Sequence, residues 1–522
     1  MALQFLFDAV DQTTLPAAAT VGIVLVPVVL ALLFLGKGKQ SPQGTRKIQR
    51  LPGCMPILDD TLAFAKNLHR VHDWFVELMN EYKGEPFAVK WLGNPPRVFL
   101  CTVEAYEEVL KTKFENFPKG PRIRDNLRDV LGGGIFASDH AQWAHQRKTS
   151  VNLFTARALR ETMSETMRKY TRVLLNIFDR KSENGTSIDL VKIFSRFTIE
   201  AFAEIGFGIE MKCLDAEEEH PLQRAFDSAQ RMIVLRFQRP PVVWKLQRFL
   251  NIGAEKQLKE DIKVVDETVF GIISKSLANR HTRKATETPN LVSIFLDRAQ
   301  DAADEDGNVD PTFLRDMVVN FIFAGRDTTS QSMSWFFLNL SKRPDVAQKI
   351  REEIAAVAPE LASGKISVPT MEQVQQMTFL EAAIKESLRL YPVVPASPKL
   401  VEEDIVLSDG TFLRKGWFAM LSSYAYSRAK HIWGEDAGEF KPERWIDENG
   451  KIRNESAFKF VTFNAGPRIC LGMNLALLKL KIVLASLLNR YQIDLLPGQN
   501  NTYANALTLA VKGELNVSVK KL

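Results

Sequence analysis

A mainly helical fold with a small β portion, preceded by one N-terminal transmembrane helix, is what this sequence predicts, on three observations. Most of residues 104–390 repeats its apolar side chains at helical spacing, broken by turn clusters at 182–187, 238–241 and 304–311. Two short patches, 88–101 and about 400–425, read as strands joined by turns. Residues 15–35 hold no charge at all. At 522 residues the chain is long for one domain, yet α-rich folds of this size form a single unit. The 45% apolar and 25% charged content is globular, and there is no repeat or low-complexity segment.

The uncharged stretch supplies roughly 20 positions and about 30 Å of helix, enough to span a bilayer. Lys37, Lys39, Arg46, Lys47 and Arg50 follow it, while Asp8 and Asp11 precede it. Positive charge after the apolar run predicts an uncleaved anchor with the C-terminal part in the cytosol, and disfavours a cleaved signal peptide. Residues 1–36 are thus read as the anchor and 37–56 as a basic linker ending in the hinge Leu51-Pro52-Gly53-Cys54-Met55-Pro56. Residues 57–522 form the catalytic body.

Within that body, 57–85 has helical spacing, then Ala88–Leu92 and Arg97–Cys101 flank the turn Gly93-Asn94-Pro95-Pro96. The segment from Arg236 to Trp244 is basic and apolar at once, and is read either as a surface that dips into the bilayer near a substrate entrance or as a plain interhelical loop. Gly132-Gly133-Gly134 lacks the Gly-Lys-Ser/Thr of a phosphate loop and is read as a source of loop mobility. The net charge of +6 is mild, and no basic run interleaved with aromatics suggests nucleic acid. Four scattered cysteines without C-x-x-C spacing argue against a disulfide framework or a zinc site.

The chemistry concentrates near the C-terminus, in Phe463-Asn-Ala-Gly466-Pro-Arg468-Ile-Cys470-Leu-Gly472. Glycines let the backbone approach a flat cofactor, and a helix beginning just after Cys470 would favour its thiolate. A thiolate axial ligand pushes electron density into haem iron. Among the seven histidines, the pairs His69/His72 and His140/His145 have no partner cluster that would make them rival ligands.

A second constellation is Ala324-Gly325-Arg326-Asp327-Thr328-Thr329, in an apolar helix too short between Asp316 and Arg326 to cross a membrane. Gly325 is expected to loosen the helical ladder and make room for dioxygen, with Asp327 feeding protons to Thr328 and an ordered water. Glu386 and Arg389 sit at i and i+3, and Arg444 offers a third member for a buried structural network. Trp143 and Arg147 lie one turn apart, suited to a haem propionate, with Arg468 for another.

Together these segments resemble the cytochrome P450 superfamily, with its motifs in order across residues 51–522. The resemblance implies the cytochrome P450 fold, haem b with Cys470 as proximal ligand, and Asp327 and Thr328 as the proton-delivery pair. It makes Glu386, Arg389 and Arg444 a structural triad and brings Trp143, Arg147 and Arg468 to the propionates, with Phe463 and Gly472 bounding the cysteine loop on the cofactor. The anchor and hinge are similar to those of microsomal members, implying a single-pass endoplasmic reticulum protein that uses NADPH only through a diflavin reductase. Cytochrome b5 is a further expected donor, and Lys459, Arg468, Lys479 and Lys481 are the expected docking cations. Finer features, including Tyr426-Ser-Arg428, Ile432–Asp436 and Phe440–Trp445, resemble the fatty-acid ω-hydroxylases of plants and yeasts. Ala396–Lys399 and 236–248 depart from that branch, so chain length and regiochemistry stay open. The alternatives are a monooxygenase of sterols or xenobiotics, and a haem-thiolate isomerase or dehydratase of lipid hydroperoxides.

Overall fold

The structure, a computed structural model, describes residues 42–151, 163–282, 310–499, 501–504 and 506–522. The proposed span at 15–35 lies outside them; among the described residues no helix is long and apolar enough to cross a membrane. Within the stretch read as linker, Arg46 pairs with Glu85 at 2.6 Å and Asp409 at 3.0 Å, and Leu51 is buried.

The strand–turn–strand pattern forms as expected. β2 (Phe87–Val89) pairs antiparallel with β3 (Arg97–Phe99), register Phe87 to Phe99, and β1 (Gln49–Arg50) joins β2 in parallel. Distant strands complete a five-stranded sheet in the order β1-β2-β3-β8-β5, with β5 at Ser397–Leu400 and β8 at Phe418–Leu421. β6 (Ile405–Val406) and β7 (Phe412–Leu413) flank the turn at Ser408-Asp409-Gly410. The third sheet has no strong local signal: β10 (Asn516–Lys521) sits between β4 (Ile188–Asp189) and β9 (Tyr491–Leu495). The two-residue β4, paired across more than 300 positions with β10, leaves no period to read.

Among the described residues the α-helices of seven residues or more are, in order, α1 (Thr61–Asn67), α2 (Val71–Glu81), α3 (Pro121–Leu131), α4 (His140–Val151), α5 (Ser164–Glu183), α6 (Leu190–Phe207) and α7 (Pro221–Gln238). They continue as α8 (Pro241–Leu250), α9 (Gly253–Thr282), α10 (Pro311–Leu340), α11 (Pro344–Val357), α12 (Thr378–Leu390) and α13 (Met473–Arg490). Local chemistry sets their ends. Asp310 caps α10 by accepting from Thr312 N and Pro311 opens it, while Asp189 caps α6 and Gly208 closes it at φ +66°. The main core joins α5, α6 and α10–α13 to β9 and β10. A second packs α3, α6, α7, α9 and the first half of α10.

Two loops differ from expectation. The triglycine loop is pinned, not mobile: Asp316 accepts from Gly133 N at 2.7 Å, and Asn320 accepts from Phe136 N and donates to Leu131 O. A Cβ on Gly132 or Gly134 would sit about where the Asp316 and Asn320 side chains are, 1.9 and 2.1 Å away, so the glycines serve close approach. The 236–248 stretch divides. Arg236 and Trp244 are buried, with Arg236 paired to Asp129 at 2.7 Å and Glu255 at 2.6 Å. Val242, Leu246, Phe249 and Leu250 share one face of α8 and remain exposed, Phe249 by 84%.

Candidate active site

The cysteine loop is a set of turns leading into α13. Cys470 N donates to Phe463 O at 2.8 Å and Ile469 N to Gly466 O at 3.1 Å, so Phe463 holds the loop by its carbonyl while its ring packs on Phe460. Gly466 adopts φ +62°, and a Cβ there would stand 2.0 Å from Leu110 O. Its close approach is therefore to the backbone of residues 108–112. Gly472 has an ordinary φ of −88° as the N-cap of α13. The helix starts three residues beyond the sulfur, and the thiol is not ionised in advance. Burial raises its pKa, outweighing the Gly472 N–H and Arg147, which lower it. The side chain is nonetheless exposed by area. Its sulfur, crowded by protein, opens onto accessible space.

Above this loop cations collect. Arg147 of α4 donates to Ile469 O at 2.5 Å; Arg468 pairs with Asp139 at 2.8 Å, donates to Ser138 O, and stacks 4.4 Å from the Trp143 ring. Trp143, Arg147 and Arg468 are thus brought together from α4 and the cysteine loop. Two lysines that the sequence reading missed join them. Lys399 of β5 is fully buried, and burial and Arg468 push its pKa down to about 7. Lys119 donates to Phe136 O, and burial, Arg468 and Lys399 push its pKa well down. Asp139 is the buried anion that acts on them, and the Arg468 Nε is buried with no partner. So much positive charge held out of water calls for anionic oxygen. Lys399 lies in Ala396–Lys399, a stretch that departs from the ω-hydroxylase pattern.

On α10 every residue from Met317 to Leu340 is buried except Ala324, Gly325 and Thr328. Ala324 and Thr328, at i and i+4, share one strip that stays partly accessible, while Gly325 lies beside it. The helix runs unbroken through Gly325, contrary to the loosened ladder expected from it. A Cβ on Gly325 would meet the Phe202 ring at 2.2 Å, so this glycine lets α6 pack against α10. Thr328 donates to Ala324 O at 2.6 Å, and Asp327 is buried but turned elsewhere. Its carboxylate accepts from Arg326 at 2.8 Å and Gln230 at 2.7 Å. Consecutive helical residues point about 100° apart, which is why the two side chains do not meet directly.

Glu386, Arg389 and Arg444 do meet. Arg389 donates twice to Glu386 at 2.8 Å, Arg444 Nε approaches at 3.4 Å, and Trp445 Nε1 donates at 2.9 Å. Glu386 and Arg389 are 0% exposed. The remaining Arg389 donors reach Ser427 O, Ala437 O and Glu439 O, tying α12 to the segment that precedes the cysteine loop.

The family model described as Cytochrome P450 matches residues 51–520. The chain belongs to the cytochrome P450 family. Its relatives include Cytochrome P450 CYP94D108 of Paris polyphylla, 38% identical over 87% of this chain and 89% of that one. Cytochrome P450 86B1 of Arabidopsis thaliana is 36% identical over 91% and 86%, and Cytochrome P450 94B1 of the same plant 33% over 96% and 97%. As a cytochrome P450 the chain is an oxidoreductase of monooxygenase type, using haem with a cysteine thiolate ligand and electrons passed on by a reductase. The residues present fit that group: an accessible cysteine, an orphaned Arg468 Nε, and buried Lys119 and Lys399, which Asp139 alone does not keep fully charged and an added carboxylate would.

One expectation is overturned. Of the four cations assigned to reductase docking, Arg468 is held by Asp139, Lys481 is buried against Glu381, and Lys479 is buried 5.3 Å from the Phe202 ring. Helix α13 is buried nearly all round, so the lysines on it face protein. Lys459 retains partial exposure beside Glu455.

Proposed function

We propose that this cytochrome P450 hydroxylates medium or long-chain fatty acids at or near the terminal carbon. Cys470 would hold the haem iron through its thiolate, and Trp143, Arg147, Arg468, Lys119 and Lys399 would hold the propionates. Bound haem supplies oxygen activation and insertion of one oxygen atom into a C–H bond, the other leaving as water. The protein's own part is positioning and proton supply. Thr328, on the partly accessible strip of α10, presents a hydroxyl, and Asp327 is the acid behind it. Glu386, Arg389 and Arg444 keep the cysteine loop's supporting segment rigid. Phe463 and Gly472 shape the loop itself.

The observation that carries the monooxygenase reading is the joint presence of Cys470, the buried basic groups around Arg468 and the partly accessible strip bearing Thr328. The fatty-acid assignment rests on the motifs shared with the ω-hydroxylase branch. Reaction at a primary carbon before weaker neighbouring C–H bonds needs a channel that presents only the chain end, which is a matter of positioning.

Residues 1–36 are proposed as a single-pass endoplasmic reticulum anchor and 37–56 as the linker, with 57–522 catalytic in the cytosol. The exposed apolar face of α8 would rest on the same membrane. A diflavin NADPH reductase is the proposed electron donor, with cytochrome b5 as a second. Incubation with NADPH, that reductase and fatty acids of graded length, followed by mass spectrometry of the products, tests the reading. ω-Hydroxy acids support it; hydroxylated sterol or xenobiotic in their place replaces the substrate class.

A further inference from the structure

The acid at the centre of the proton-delivery reading is held by another helix. Arg326 side chain is 3% exposed; its Nη1 reaches Asp227 at 2.6 Å and Asp327 at 2.8 Å, and its Nη2 reaches Asp227 at 3.1 Å. Its Nε donates to Ser195 Oγ of α6 at 3.1 Å. The other Asp327 oxygen accepts from Gln230 Nε2 at 2.7 Å. Asp227 and Gln230 are i and i+3 on α7, so one face of that helix governs both oxygens of the carboxylate, one through Arg326 and one directly. Asp227 is 38% exposed, the end of the chain that water touches.

We propose that Asp227 and Gln230 are positioning residues for Asp327: together they hold its carboxylate turned away from Thr328 and set its readiness to carry a proton. This rests on the assignment of Asp327 and Thr328 to proton delivery. The arrangement places one guanidinium between two carboxylates. When Arg326 engages Asp227 more fully, Asp327 loses its counter-charge, takes up a proton and is free to turn; when Arg326 engages Asp327, the carboxylate stays ionised and fixed. The two α7 residues act in opposite senses. Burial first, and then the negative charge of Asp227, raise the Asp327 pKa to about 6, while Arg326 and the Gln230 hydrogen bond lower it. Glu219, ahead of α7, acts on Arg326 from the same side.

The opposition is the test. In the haem-loaded resting protein, the carboxyl band of Asp327 is assigned by infrared difference against Asp327→Asn and titrated with pH. Asp227→Asn is expected to move the midpoint down and Gln230→Leu to move it up, each by about one unit, with Asp227→Glu restoring the native value. The high-pH limb of product formed per NADPH consumed should shift in the same two directions. Equal midpoints in all three variants, or shifts of one sign in both, overturn the proposal, because mere loosening of α7 moves both alike. If Asp327→Asn and Thr328→Ala leave coupling intact, the proton-delivery reading fails first. If those two uncouple turnover while the α7 variants titrate as wild type, only the α7 assignment fails.

Discussion

Replacing Glu386 with glutamine removes one charge and almost no volume, at a site with no solvent. The carboxylate receives two bonds from Arg389 at 2.8 Å, one from Trp445 at 2.9 Å, one from Lys441 N at 3.0 Å and a longer one from Arg444 at 3.4 Å. An amide has one acceptor oxygen, and its NH2 would point at donors. The Arg389 guanidinium would be left fully buried without its counter-ion, and breaking a buried pair in this way costs about 3–5 kcal/mol. Arg444 retains Asp436 at 2.8 Å, so its share of the loss is smaller. With an unfolding entropy of about 2.1 cal/mol/K per residue, a body of this size shifts by about 1 °C per kcal/mol, so the thermal midpoint should fall by roughly 3–5 °C. Scanning calorimetry of the haem-loaded protein reads this directly, and the reduced carbon monoxide spectrum reports whether thiolate ligation survives below the transition. The double variant Glu386→Gln with Arg389→Met should recover part of the loss, because it leaves no unpaired charge. A single variant melting with wild type would refute the argument that this network is held by charge, and a double variant worse than the sum would refute the account of the stranded guanidinium.

Three further outcomes follow from the site. Thr328→Ala should lower product formed per NADPH by about a hundredfold while substrate-induced spectral shifts persist, as loss of a proton-transfer group does. Lys399 has a pKa depressed to about 7 in the protein without haem, and a propionate beside it would raise that value; haem transfer to excess apomyoglobin should therefore quicken as pH rises through the alkaline range where the lysine loses its charge, and Lys399→Met should flatten that dependence. Arg468→Leu frees Asp139 and removes the orphaned Nε, and should raise the same transfer rate about tenfold at neutral pH.

What could be read beforehand follows a physical divide. The Cys470 loop and the Glu386–Arg389 spacing are local, so a few adjacent residues carry them; Asp327 and Thr328 are adjacent too, but the Gln230 bond that turns Asp327 away comes from α7. The β2–β3 hairpin was legible because Gly93-Asn94-Pro95-Pro96 punctuates two strand-type runs. Burial was harder. Lys479 and Lys481 look like surface charges until α13 is seen to run through the core, and Lys399 and Lys119 are cationic residues whose neighbours come from distant elements. Glycine gives the same lesson: Gly325, Gly132 and Gly466 each make room for a particular neighbour (Phe202, Asp316 and Leu110 O), and a sequence names the glycine without naming what it admits. The contact of Asp227 with Arg326 spans 99 positions: Phe226–Gln230 and Ala324–Thr329 each stand out as segments, but nothing in either names the other as its partner.

The central claim is that Cys470 and the groups around it make a fatty-acid monooxygenase. The most direct measurement is turnover of the full chain with NADPH, a diflavin reductase and fatty acids of graded length, with the hydroxyl located by mass spectrometry. The account predicts terminal or near-terminal hydroxylation that disappears in Cys470→Ala. Absence of product from protein with an intact thiolate-type carbon monoxide spectrum, or turnover that proceeds without NADPH, would contradict it.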